Sequence, residues 1–127
     1  MRYRSISYRI DTPTRSIVIS GDTAPSQNLV QLARGADVLV HEAMYLPAVD
    51  RIAARTPTAA RLREHIVASH TSAEDAGRIA QAAGVKQLVL SHLVPADDPT
   101  VTDQMWIDAA RVNFKGPVIV GKDLLEI

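Results

Sequence analysis

A chain of 127 residues, 46% of them apolar, can bury one ordinary core, at a size where folding hides roughly two thirds of the unfolded surface. Its 14 basic and 14 acidic side chains cancel, so no global field draws it to a polyanion or an anionic membrane. Cysteine is absent, which excludes a disulfide framework, a thiolate nucleophile and a cysteine zinc site and leaves His, Asp and Glu as metal donors. No apolar run approaches the roughly 20 residues that span a bilayer. Met1-Arg2-Tyr3-Arg4 leads into an alternating segment rather than the apolar stretch of a signal peptide. The expected location is the cytoplasm.

Tyr3 to Ile10 and Ser16 to Ser20 alternate or run apolar, and Asp11-Thr12-Pro13-Thr14 between them has turn chemistry, so a hairpin is expected. Asn28 to Ala33 has helical spacing through Leu29, Leu32 and Ala33, with Ser26 as N-cap and Gly35 as stop. Val38-Leu39-Val40 suits a strand buried on both faces that ends at His41-Glu42. The Ala- and Arg-rich stretch from Ala48 to Glu64 is split by Pro57. Ile66-Val67-Ala68 reads as another buried strand, ending at His70. Thr71 or Ser72 then caps a helix over Glu74 to Ala83, closed by Gly84. Leu88-Val89-Leu90 forms the next strand, ending at Ser91-His92. A helix from about Thr102 to Asn113 and a last strand at Val118-Ile119-Val120 complete the chain. Strand alternating with helix over 1–127, with no internal boundary, argues one layered α/β domain.

Four of these segments deliver polar or ionisable groups at the C-terminal end of an apolar run: Gly21-Asp22-Thr23, His41-Glu42, His70-Thr71 and Ser91-His92. In open α/β sheets that edge is where ligands and metals bind. Each piece alone has an ordinary structural reading. Gly-Asp-Thr is a common turn or cap, His41 suits a buried ring satisfied by backbone, and His92 could bond the Asp97-Asp98 loop. Their co-occurrence carries the weight. Imidazole and carboxylate suit zinc and similar divalent ions; a carboxylate such as Asp22 can bridge two of them, with His92 as a terminal ligand. His65 reads as a surface or helix-end residue.

Ser20-Gly21-Asp22-Thr23, His41-Glu42-Ala43, His70-Thr71-Ser72 and Leu88-Val89-Leu90-Ser91-His92 resemble, in order and spacing, the second half of metallo-β-lactamase-fold hydrolases, in the ribonuclease Z-like and arylsulfatase-like branches. The resemblance covers essentially the whole chain. It implies half of a four-layer αβ/βα sandwich, a mixed sheet with helices on one face. It also implies two divalent metal ions, zinc by preference, bridged by Asp22 and ligated by His92, with Glu42 and His70 as a proton-donating pair. The two ions would lower the pKa of a shared water and offset charge at the attacked centre, while a histidine oriented by a carboxylate protonates the leaving oxygen. His41 is left as an orienting or structural residue.

The family's His-x-His-x-Asp-His cluster is missing, and so is the further histidine that precedes the bridging aspartate. The chain is therefore expected to be inactive alone and to bind metal weakly or not at all. Its sheet would lack a partner and expose an apolar face that drives homo-oligomerisation or other association. Three explanations are a sequence cut short at Met1, a half completed by another chain, and a relic without catalysis; the abrupt opening strand favours the first. The substrate of the intact enzyme is a small-molecule ester or RNA: a phosphodiester, sulfate ester or related ester. Leu93-Val94-Pro95 after His92 leans toward the arylsulfatase-like branch, and the Arg51, Arg55, Arg61, Arg63 cluster reads as a solvated helix face. Two rival classes are a non-catalytic α/β interaction or assembly domain and a nucleic-acid-binding module, which would need RNA affinity that survives chelation.

Overall fold

The computed structural model describes residues 4–127, so the start of the expected first strand at Tyr3 and the segment before it lie outside the described residues. Ten elements follow in order: β1 Tyr8–Asp11, β2 Ser16–Ile19, α1 Gln27–Ala33, β3 Val38–Met44, α2 Leu46–Ala54, α3 Ala59–Ser69, α4 Ala73–Ala83, β4 Gln87–Val94, α5 Asp103–Arg111 and β5 Val118–Val120. They form one five-stranded mixed sheet in the order β1-β2-β3-β4-β5, in which β1 is antiparallel to β2 and the remaining pairs are parallel.

Sequential parallel strands need crossovers of one hand, and when the strand order never reverses those crossovers all lie on one side. The burial pattern agrees. Val18, Leu39, Ala43, Leu88, Leu90 and Val120 pack with Leu29 and Val30 of α1, Ile79 and Ala80 of α4, and Trp106 and Ala110 of α5 in one apolar core. The helix ends follow the expected chemistry. Ser26 accepts from the Leu29 N–H, Ser72 from the Asp75 N–H and Thr102 from the Met105 N–H, while Gly84 closes α4 in the left-handed region. α4 and α5 approach so closely that a Cβ on Gly77 would lie 2.1 Å from the Ala110 carbonyl oxygen, which makes glycine a packing requirement there.

Strand alternation puts Tyr8, Ile10, Ile17, Ile19, Val40 and Ile119 on the opposite, helix-free face. Tyr8, Ile10 and Ile19 are exposed, as expected of a sheet without a partner layer. The final segment covers part of this face, with Leu125 and Ile127 beside Val40 and Val89 and the Arg15 guanidinium donating to the Ile127 carbonyl at 3.0 Å.

Two expectations need correction. Ile66-Val67-Ala68 is the end of helix α3 and not a strand. Three apolar residues cannot outweigh the strong helix formers of Ala59 to Glu64, which continue into them without a breaker; among the described residues, the strand-like contact nearby is the isolated bridge Met44↔Ser72. β3 and β4 also do not stop at His41-Glu42 and Ser91-His92 but run on to Met44 and Val94. The polar groups therefore lie inside the strands. Pro57 does separate two helices, α2 and α3, and His65 is exposed on α3.

Candidate metal and proton-transfer site

Four segments bring Asp22, Glu42, His70 and His92 to one edge of the sheet. Asp22 follows β2 through Gly21, whose φ is +62°; a Cβ there would stand 2.6 Å from the Ile6 carbonyl oxygen, so the turn has no room for a side chain. Ser5 Oγ donates to the Asp22 carbonyl at 2.6 Å and Ser7 Oγ to the Ser20 carbonyl at 2.6 Å, so the segment before β1 fastens this turn.

His92 owes its position to a β-bulge. Glu42 is paired with Ser91 and Ala43 with Leu93, so His92 is the extra residue in β4, and its φ is +43°. Bulges of this kind re-aim a side chain, and a non-glycine residue in the left-handed region is a strained feature that recurs at functional sites. The ring is turned toward Asp22, with Nδ1 3.1 Å from Oδ1, and both side chains are more than half exposed, at 56% and 58%. The Asp97-Asp98 loop does not hold His92; Asp98 pairs with Arg51 and Thr100 instead.

The other two groups form an interior pair. Glu42 is buried, and its Oε1 and Oε2 lie 3.0 and 3.1 Å from His70 Nδ1. The Thr23 N–H donates to Oε1 at 3.0 Å, and the Thr71 hydroxyl holds the Thr23 carbonyl at 2.6 Å. Thr71, Thr23, Glu42 and His70 are thus one chain of hydrogen bonds. Burial pushes the Glu42 carboxyl above its ordinary range; the Thr23 N–H and then the His70 ring pull it back, and the nearby Asp22 charge raises it further. His70 arrives as the C-cap of α3, stacked on His92 with ring centroids 5.9 Å apart.

Donor atoms of Glu42, His70 and His92 also lie within 4.8 Å of one another. That trio is a poorer cation site than Asp22 with His92. Both Glu42 oxygens already serve Thr23 and His70, whereas the Asp22 carboxylate faces solvent. The four candidate residues therefore divide into a solvent-facing pair with the chemistry of metal ligands and an interior pair with the chemistry of an oriented acid. Thr23 and Thr71 were legible only as turn or cap residues, because nothing in the sequence shows that their polar atoms are buried.

His41 stays apart from this group. It is fully buried, its Nδ1 donates to the Glu42 carbonyl at 2.7 Å, and its Nε2 has no partner among the described residues. Desolvation holds the ring neutral, with its pKa lowered to about 4. The unfolded chain protonates this ring below about pH 6.5, and the folded one only near 4. The stability it contributes is thus complete above the first value and is lost as pH falls through the second, by about 3 kcal/mol in all. Urea unfolding at about pH 7.5 and about pH 5 is expected to show a smaller difference for His41→Asn, which keeps a donor near Nδ1, than for the native chain. Glu42 titrates in the opposite sense, so the comparison of the two proteins, and not the native slope, reads out His41.

A sequence profile of the Beta-lactamase superfamily domain matches residues 1–93. Ribonuclease Z of Mycobacterium tuberculosis (strain ATCC 25618 / H37Rv) is 38% identical over 120 residues, covering 94% of this chain and 41% of that protein. Ribonuclease Z of Brevibacillus brevis is 45% identical over 83 residues, covering 65% of this chain and 22% of that protein. Among solved structures, the metallo-beta-lactamase fold protein YhfI from Bacillus subtilis superposes with a TM-score of 0.67 at 24% identity, covering 91% of this chain and 40% of that one, and shows the shared fold. The chain spans half or less of the length of these curated relatives, at most 50%. With the profile covering 93 of its 127 residues, and with a mixed sheet of the same fold, this chain belongs to the beta-lactamase superfamily.

Proposed function

We propose that the chain supplies one half of the catalytic centre of a metal-dependent phosphodiesterase acting on RNA. The observation that carries this reading is the division of the four converging side chains: Asp22 and His92 face solvent 3.1 Å apart, while buried Glu42 holds the partly buried His70 ring at 3.0 Å. A carboxylate and an imidazole at hydrogen-bond distance are a fitting donor pair for zinc, and Asp22 has a second oxygen with which to bridge two ions. Two donors fall short of the three protein ligands of a usual catalytic zinc, and in this reading the further ligands come from outside the described residues. The ribonuclease Z relatives support a phosphodiester over a sulfate ester.

When bound, the ions would generate hydroxide near neutrality and offset charge on the phosphoryl oxygens. The chain's own residues perform the remaining work. Glu42 accepts from His70 Nδ1, which fixes the ring and leaves Nε2 as the position that carries a proton to the leaving oxygen. Thr23 and Thr71 keep the Glu42 carboxylate from swinging away. In the same reading the chain is one half of a four-layer sandwich, and its helix-free face, with Tyr8, Ile10 and Ile19 exposed, meets a second sheet.

The test is calorimetric titration with zinc, paired with hydrolysis of bis(p-nitrophenyl) phosphate. The chain by itself should bind zinc weakly. Joined to a histidine-rich half that completes the sandwich, it should bind about two equivalents and hydrolyse the ester in a chelator-sensitive manner. A completed protein that neither binds zinc nor changes its unfolding on adding zinc would sink the proposal and favour a non-catalytic assembly domain.

A further inference from the structure

The polar surface around Asp22 and His70 continues beyond them. These two side chains border a cleft of about 750 Å³ that is also lined by Arg4, Ser5, Ser26 and Ser69. A second hollow of about 210 Å³ shares Pro25 and Ser26 with the first and carries on to Gln27 and Arg78. Together they make one run from the interior acid pair to α4, with a guanidinium in each hollow and hydroxyls between. Among the described residues Arg4 has no carboxylate partner. Arg78 is held by Asp75 at 2.8 Å but keeps a side-chain exposure of 59%. The Asp22 carboxylate, the one acid in the first hollow, is engaged with His92.

A small ester would need only the space next to His70. Two joined hollows, each offering a guanidinium that is always charged, suit a ligand that repeats its anionic group, as a single nucleic-acid strand does. The zero net charge of the chain gives no long-range attraction, so such a ligand must be held by local contacts. We infer that this run is a groove for single-stranded RNA, in which Arg4 and Arg78 neutralise backbone phosphates on the side of the scissile group served by His70. This rests on the hydrolase reading and adds the side chains that hold the strand beyond the scissile group.

Fluorescence anisotropy with a labelled oligouridylate of about a dozen nucleotides, measured across a salt series without added metal, tests the groove separately from the chemistry. Arg4→Ala and Arg78→Ala should each weaken binding and lower the slope of log affinity against log salt by about 0.7, the contribution of one phosphate on a single strand. Arg111→Ala, on the exposed end of α5 and lining neither hollow, should leave the slope unchanged. Equal slopes in all three variants, or no binding of the oligonucleotide by the native protein, would overturn the groove. In either case zinc binding and small-ester hydrolysis would still decide the hydrolase reading by themselves.

Discussion

Asp22→Ala should lower hydrolysis of the zinc-loaded, completed enzyme by at least about 10³-fold, equal to roughly 4 kcal/mol of transition-state stabilisation. The expectation follows from the place of this side chain. Asp22 is the one candidate carboxylate that faces solvent, and the turn that presents it is fixed by Gly21, by the Ser5 and Ser7 hydroxyls, and by Ser20, whose Oγ accepts from the Glu42 N–H at 3.1 Å. Losing a bridging ligand should reduce the metal content as well as the rate, so metal analysis of the dialysed variant should fall below two ions. Asp22 also lies more than half exposed, and its removal leaves no buried group unpaired. Thermal unfolding in chelator should therefore be nearly unchanged, within about 0.5 kcal/mol. Full metal content with full activity in this variant would remove Asp22 from the site.

The second large effect is a contrast between substrates. His70→Ala should reduce kcat on RNA by about 10² to 10⁴-fold, the usual worth of a positioned acid, and leave the metal content unchanged. On bis(p-nitrophenyl) phosphate the loss should be far smaller, because p-nitrophenolate leaves without a proton. Glu42→Gln should act in the same direction, since it removes the charge that orients Nδ1 while keeping an acceptor for the Thr23 N–H. A His70 variant that lost activity equally on both substrates would be reporting a displaced metal ligand, in keeping with its stacking on His92, and the acid role would be wrong.

The sequence was most informative where local chemistry decides structure. The caps at Ser26 and Ser72, the stop at Gly84 and the break at Pro57 all stand where turn and cap preferences put them. A layered α/β domain followed from strand and helix alternation, and the family, with its mixed sheet and helices on one face, from the resemblance of four ordered motifs. Sequence reasoning failed where pairing across the chain decides. Ile66 to Ala68 has the composition of a strand, yet no neighbouring strand is available to it and the helix before it propagates. The extension of β3 and β4 past Glu42 and Ser91 depends on their mutual pairing, and the bulge that turns His92 outward exists only in that pairing. The separation of Glu42 and His70 from Asp22 and His92 likewise depends on burial, which residue identity does not reveal.

The two members of the acid pair are anchored unequally. Glu42 belongs to a central strand, while His70 ends α3, none of whose described side chains is fully buried and which packs chiefly against α2. Firm attachment resumes only at Thr71, which is buried and whose carbonyl accepts from the Met44 N–H at 2.8 Å. Segments with few buried contacts open at a lower free-energy cost than the core. Partial melting of the α2–α3 hairpin would then detach the proton donor while β2, β3 and β4 still held Asp22 and His92. On warming, turnover of substrates with poor leaving groups should decline before metal is released, so the two halves of the chemistry have different thermal limits within one domain.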